Sequence, residues 1–140
     1  MVNLGKLKLH TGLVLAPMAG ISDLPFRMLN RGFGCELAFV EMINARALSY
    51  KSKKTKHMLS SSPEDRPLGI QLLGCEPEYI LRAVDIICAY KPDLLDFNCA
   101  CPAKKVVRRG EGAGLMKSPK KLHKLLKIIV ENSSAPVTVK

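Results

Sequence analysis

LLDFNCACPAKKVVRRGEGAGLM, Leu94–Met116, decides how this chain is organised. Leu94–Phe97 is short and nearly all apolar, as in a strand covered on both faces. It runs directly into residues suited to chemistry rather than packing. Asn98 offers an amide, Cys99 and Cys101 offer thiols, and Pro102 biases Cys101 toward an extended backbone. A cationic run follows at Lys104, Lys105, Arg108 and Arg109.

Outward from this stretch, strands and helices alternate. Upstream, Pro77–Ala89 carries Ile80, Ala83, Val84 and Ile87, the i, i+3, i+4, i+7 stripe of a helix packed on one side. Leu68–Leu72 before it is predicted to be a strand, as are Leu37–Glu41 and Leu13–Pro17, the last a first buried strand. Between these lie a helix over Leu24–Arg31 and a mixed, partly helical region, Asn44–Ser60. The first helix is capped by Asp23 or Ser22, has Pro25 in its first turn and is stopped by Gly32 and Gly34. Downstream, Pro119–Glu131 places Leu122, Leu125, Leu126 and Ile129 on one face, and Val137–Val139 begins a fifth strand. Such alternation implies βαβ units and a parallel sheet. No GxGxxG follows the first strand, which argues against a dinucleotide-binding sheet. Five strands are about half of a barrel that typically takes about 250 residues. The expected fold is α/β, a partial (β/α)8 TIM barrel of about five parallel strands in sequence order with outer helices. Residues 1–140 are expected to form the N-terminal half of one catalytic domain, truncated, with no second domain.

Composition narrows the setting. With 47% apolar residues in 140 the chain can bury a core. No run of 18 apolar residues occurs, so no membrane span is expected. Lys6 and Lys8 interrupt the N-terminal apolar stretch, so no signal peptide is expected and a cytoplasmic location follows by default. Five cysteines, an odd count without an export signal, read as free thiols. Cys99 and Cys101 form CxC, and no second Cys/His cluster has zinc spacing, so no metal site is expected. A net charge of +10 favours a polyanionic partner, nucleic acid first.

Four segments in order carry a resemblance: LAPMAGISDLPFR (Leu15–Arg27), GIQLLG (Gly69–Gly74), Asp96–Met116 and PVTVK (Pro136–Lys140). Over nearly the whole chain they resemble the tRNA-dihydrouridine synthase family. The most specific part combines N-x-x-C-P with K-x-V-x-x-G-x-G-A; a family member more often has glycine where this chain has Ala100. The resemblance implies an FMN-containing barrel that reduces a uridine of tRNA to 5,6-dihydrouridine, with NADPH as electron donor. Hydride would go to carbon 6 of the uracil and a proton to carbon 5.

The resemblance implies Cys101 as the general acid. A thiol suits that task, since its ordinary pKa near 8.5 leaves it mostly protonated at neutral pH. Cys99 reads as a core residue, pointing to the same side as Cys101 if the strand continues. Ala16, Pro17 and Met18 match the segment lying against the flavin ring, and Gln71 a flavin-contacting amide. Asn98 matches a strand-end amide that approaches both flavin and substrate base, although an Asn there also caps loops. Lys140 matches a lysine at the flavin's pyrimidine end, where a cation stabilises negative charge.

The basic residues divide. Lys104, Lys105, Arg108 and Arg109 follow the catalytic cysteine and are expected to meet tRNA phosphates. Lys120, Lys121, Lys124 and Lys127 lie opposite an apolar stripe and read as a solvated face. Lys51, Lys53, Lys54 and Lys56 fit either role. Without strands six to eight, the chain is expected to be inactive by itself and to expose sheet edges that invite self-association. Two alternatives remain: a non-catalytic RNA-binding or half-barrel remnant, and another FMN-dependent barrel oxidoreductase, against which NCACPAKKV and the charge argue.

Overall fold

The computed structural model describes residues 1–50 and 52–140; Lys51, grouped above with the basic residues after the second strand, lies outside the described residues. A hairpin of β1 (Val2–Leu4) and β2 (Leu7–Leu9) comes first, then β3 (Val14–Leu15), α1 (Leu24–Gly32), β4 (Leu37–Phe39) and β5 (Ile43–Asn44). Short helices α2 (Ala45–Ser49) and α3 (Lys53–Met58) lead to β6 (Leu68–Leu73), α4 (Pro77–Cys88) and β7 (Leu94–Phe97). The chain continues through α5 (Lys104–Arg108), a 3₁₀ helix (Gly112–Lys117), α6 (Pro119–Asn132) and β8 (Val137–Val139).

Five strands are parallel and ordered β3-β4-β6-β7-β8, with the two-residue β5 also pairing with β6. This is the sheet-and-helix arrangement expected of part of a TIM barrel. Strand periodicity sorts the two faces. Ile70, Leu72, Leu95 and Phe97 enter the main core, where Ile80, Ala83, Val84 and Ile87 of α4 and Leu125 and Ile129 of α6 cover them. The other face is layered by register. Phe39, Gly69 and Leu94 align across β4, β6 and β7. Gly69 has no side chain because a Cβ there would stand 2.3 Å from the Phe39 ring. One layer higher, Gln71, Asp96 and Thr138 align across β6, β7 and β8.

The N-terminal hairpin was not legible in the sequence. Its two three-residue strands turn at Gly5, with φ +61°, and it packs Leu4, Leu7 and Leu9 against Leu37, Phe39 and Leu94. The first sheet strand also differs from expectation. It spans two residues, and Val14 is half exposed, because β3 pairs only with β4 and its outer edge meets no strand among the described residues.

Helix α1 starts as its sequence dictates. The Asp23 carboxylate accepts from the Phe26 N–H at 3.0 Å, while Ser22, the other candidate cap, is fully buried and bonds Met18 instead. Within α1, Arg27 and Arg31 reach a buried carboxylate, Asp65, at 2.7 and 3.0 Å. Arg27 also donates to the Ser22 and Ser60 carbonyls. That network fastens the loop after β3 to the segment before β6.

Candidate active site

Gln71 of β6 and residues following β3, β4, β7 and β8 converge toward the C-terminal ends of the strands, where parallel barrels gather their reactive groups. A cleft of about 280 Å³ opens there, with Gln71, Asn98, Cys101 and Lys140 in its wall. Pro17, Ala19, Met42, Ala100 and Pro102 complete it. Ala16 and Pro17 line an adjoining hollow of about 320 Å³ on the inner face of the sheet, together with Asp96, Thr138 and Lys140. Met18 lines neither; it anchors the loop. Its N–H donates to Ser22 Oγ at 3.0 Å, and its carbonyl accepts from the Ile21 and Ser22 N–H groups. Gly20 N–H donates to the Glu41 carboxylate, tying this loop to the one after β4.

A hydrogen-bonded chain crosses the floor of the cleft. Thr138 Oγ1 donates to Asp96 Oδ1 at 2.7 Å, and Gln71 Nε2 donates to Asp96 Oδ2 at 2.6 Å. Asn98 Nδ2 donates to Gln71 Oε1 at 2.8 Å and lies 3.3 Å from Met42 Sδ. Asp96 is acceptor-only when ionised, so it turns the nitrogen of Gln71 toward itself and leaves the Gln71 oxygen for Asn98. Asn98 Oδ1 is thereby free to accept from the Ala100 and Cys101 N–H groups at 3.2 and 3.0 Å. Asn98 is therefore both a wall residue and the organiser of an Asx turn. Asp96, Thr138, Met42 and Ala19 were not singled out in the sequence. Strand parity two residues before Asn98 and Lys140 is the only signal that could have found the first two.

The two cysteines separate. β7 ends at Phe97, so Cys99 is not on the strand, and the Asx turn ends the alternation that would have put both thiols on one side. Cys99 is buried in the helix-side core; burial, with Asp96 nearby, pushes its thiol up to about 11. Cys101 is partly exposed in the cleft wall. The Cys101 carbonyl accepts from the Ala113 N–H at 3.0 Å. Gly112, with φ +55°, lies against it: a Cβ there would sit 2.7 Å from the Cys101 oxygen. The K-x-V-x-x-G-x-G-A segment thus folds back as a brace for the cysteine loop.

Lys140 donates its N–H to the Phe97 carbonyl at 3.0 Å, and its own carbonyl accepts from Cys99 N–H at 2.8 Å. Both bonds extend the β7–β8 ladder and hold Lys140 at the cleft. Lys104, Lys105 and Arg108 are exposed along α5, beyond the cysteine loop. Arg109 is drawn away from the cleft. Its guanidinium pairs with the buried Glu111 at 2.9 Å, and it lines a separate polar cleft beside Asn44 and Arg46. Lys120, Lys121, Lys124 and Lys127 are exposed on α6, opposite Leu125 and Ile129. No group of three or more His, Cys, Asp or Glu could hold a metal among the described residues.

A family model for dihydrouridine synthase (Dus) matches residues 14–140. The chain belongs to this family. Among its relatives is a "Probable tRNA-dihydrouridine synthase" of Helicobacter pylori, 42% identical over 127 residues, 90% of this chain and 39% of the relative. A "tRNA-dihydrouridine synthase B" of Pasteurella multocida is 34% identical over 99% of this chain and 42% of its own. A "Probable tRNA-dihydrouridine synthase" of Rickettsia conorii is 36% identical over 100% of this chain and 43% of its own. The chain thus spans about two-fifths of the length of these dihydrouridine synthases, and the matched part carries the whole cleft described above.

Proposed function

We propose that residues 1–140 form the N-terminal half of the catalytic TIM barrel of a tRNA-dihydrouridine synthase, the side that binds a flavin ring and donates the proton. The substrate is a uridine of tRNA, the product 5,6-dihydrouridine, the cofactor FMN and the electron source NADPH. One observation carries this reading. Cys101, the Gln71–Asn98 amide pair and Lys140 line one cleft together with Pro17, Ala19, Met42 and Pro102.

That donor set fits a flat heteroaromatic ring with a polar edge. Small residues, prolines and a thioether accept a ring face, and amides and an ammonium answer a pyrimidine-like edge. Bound FMN would supply the hydride. Cys101 would hold the proton on Sγ and deliver it to the carbon that gains it. Asn98 keeps that thiol in place by accepting from the Cys101 N–H, and Asp96 keeps Asn98 in register through Gln71. Lys140 contributes a positive charge on the β8 side. Lys104, Lys105 and Arg108 offer phosphate contacts next to the cysteine loop. A tRNA substrate accords with a cytoplasmic location, and no helix among the described residues is long and apolar enough to cross a membrane.

Titration of the protein with FMN, followed by flavin fluorescence, tests the ring site. Among the described residues Lys140 is the only cation in the cleft wall, so the phosphate end has few partners there and binding by this chain alone is expected to be weak. Lys140→Ala should weaken it further, by about 10-fold or more for loss of a charge-assisted contact, and Gln71→Ala by about 2- to 10-fold for loss of a neutral hydrogen bond. FMN binding that ignores both substitutions would contradict the assignment.

A further inference from the structure

Outside the cleft, α2, with Tyr50 at its C-terminal end, and the first turn of α4 bring together three groups that the mechanism does not use. The Tyr50 and Tyr79 rings lie 5.9 Å apart at 48°, and their hydroxyls are hydrogen-bonded at 3.1 Å. The Arg46 guanidinium sits over the Tyr79 ring, 5.4 Å from its centroid. Tyr50 is 65% exposed, and Tyr79, half-buried against the main core, anchors it, so the pair turns one ring to solvent on a fixed base. Beside it opens a polar cleft of about 310 Å³ lined by Asn44, Arg46, Cys75, Glu76, Arg109 and Glu111. The Glu111 carboxylate accepts from Asn44 Nδ2 at 3.2 Å, and Glu111 directly precedes the glycine that braces the Cys101 loop. The aromatic pair, the polar cleft and the cysteine loop thus occupy one rim of the sheet.

We propose that Tyr50, Tyr79 and Arg46 form a stacking platform for an unpaired RNA base, with the polar cleft beside it receiving the adjoining sugar and backbone. Three independent features point to this occupant. An exposed tyrosine ring, here Tyr50, and a guanidinium plane, here Arg46, are surfaces on which single-stranded bases stack. The hydrogen bond between the two hydroxyls fixes the rings, so little side-chain freedom is lost on binding. Cations that attract a phosphate backbone flank the platform: Lys53, Lys54 and Lys56 are exposed on α3, whose Ser52 N–H reaches back to the Ala47 carbonyl of α2 at 3.4 Å. Within the cleft itself, Glu76 and Glu111 pair with Arg46 and Arg109, which suits ribose hydroxyls and base edges better than a bare anion. The platform rests on the reading of RNA as substrate, and it adds to that reading a second base, held apart from the reacting one.

The chain has no tryptophan and three tyrosines, so its intrinsic emission comes from Tyr50, Tyr79 and Tyr90. Tyr90 follows the far end of α4, about 16 Å along the helix from Tyr79, and serves as an internal control. The test is titration of the full chain with a short oligouridylate at low salt, without flavin, following tyrosine fluorescence. Stacking should quench the emission of the pair and spare that of Tyr90. Tyr50→Ala, at an exposed position, should weaken binding about 5- to 150-fold, Tyr50→Phe, which keeps the ring but loses the hydroxyl bond that fixes it, should weaken it less than Tyr50→Ala, and Tyr90→Phe should change nothing. An RNA duplex of equal length should bind without the quench. Unchanged affinity in Tyr50→Ala, or equal quenching by duplex, would overturn the platform and leave RNA attraction to the lysines alone. Because flavin is absent, this outcome is independent of whether the Cys101 cleft holds FMN.

Discussion

Asn98 and Gly112 show how much of the cysteine loop is set by single residues. Asn98 spends its oxygen on two backbone N–H groups and its nitrogen on Gln71 and Met42, so the loop carrying Cys101 is built on one side chain. Gly112 is needed for a different reason, since it has a left-handed φ and the Cys101 carbonyl fills the space of a Cβ. Gly110 shares the left-handed φ, at +72°, but a Cβ there would meet nothing. Gly110→Ala should therefore cost about 1–2 kcal/mol of backbone strain, and Gly112→Ala clearly more, because the Cys101 loop must also move. Urea denaturation of the two variants measures the difference; equal costs would mean that the glycine is not a brace.

At the scale of elements, two tethers hold the loops, and they respond to different perturbations. Asp65 is fully buried between Arg27 and Arg31 of α1, so Asp65→Asn leaves two guanidiniums without their counter-charge. A loss of about 3–5 kcal/mol is expected for breaking such a buried pair, read by chemical denaturation; a change under 1 kcal/mol would show that water takes over the arginines. Glu36 tethers the turn between β2 and β3 by accepting from the His10 and Thr11 N–H groups at 2.8 and 2.7 Å. The His10 amide first, then that of Thr11, holds the Glu36 carboxyl below its ordinary 4.5. A depressed carboxylate stabilises the fold above that ordinary value, and the stabilisation is lost as pH falls through the lowered folded value. Protection of the His10 and Thr11 amides against hydrogen exchange, relative to their intrinsic rates, should fall over that acid window, and should already be reduced at neutral pH in Glu36→Gln.

The longer elements were legible because burial repeats in their sequence. All four stripe residues of α4 are buried, and β7 and β8 fall at the expected residues. The short elements were not. The hairpin strands have three residues each, and α5 has five, too few for a period to show. The cleft was legible only through the motif resemblance. Its floor, in which Gln71, Asp96 and Thr138 meet, depends on the register of three strands, which no local pattern encodes.

For the whole molecule, the division of labour between the two sheet faces is the main result. One face is dry and helix-covered and keeps Cys99. The other carries layered polar residues that rise toward the strand ends and present Cys101. The two thiols lie two residues apart and differ in surroundings rather than in kind, so comparing them isolates the chemistry from generic cysteine loss. The most direct measurement is made on a chimera that continues this chain with the remaining portion of the Helicobacter pylori relative, supplied with FMN, NADPH and unmodified tRNA. Dihydrouridine formation should slow about 10²–10⁴-fold in Cys101→Ala, the usual range for loss of a general acid, while bound flavin is retained. Cys99→Ala should alter the rate little. A crippled Cys99→Ala beside a fully active Cys101→Ala would contradict the assignment of the proton donor and of the cleft that presents it.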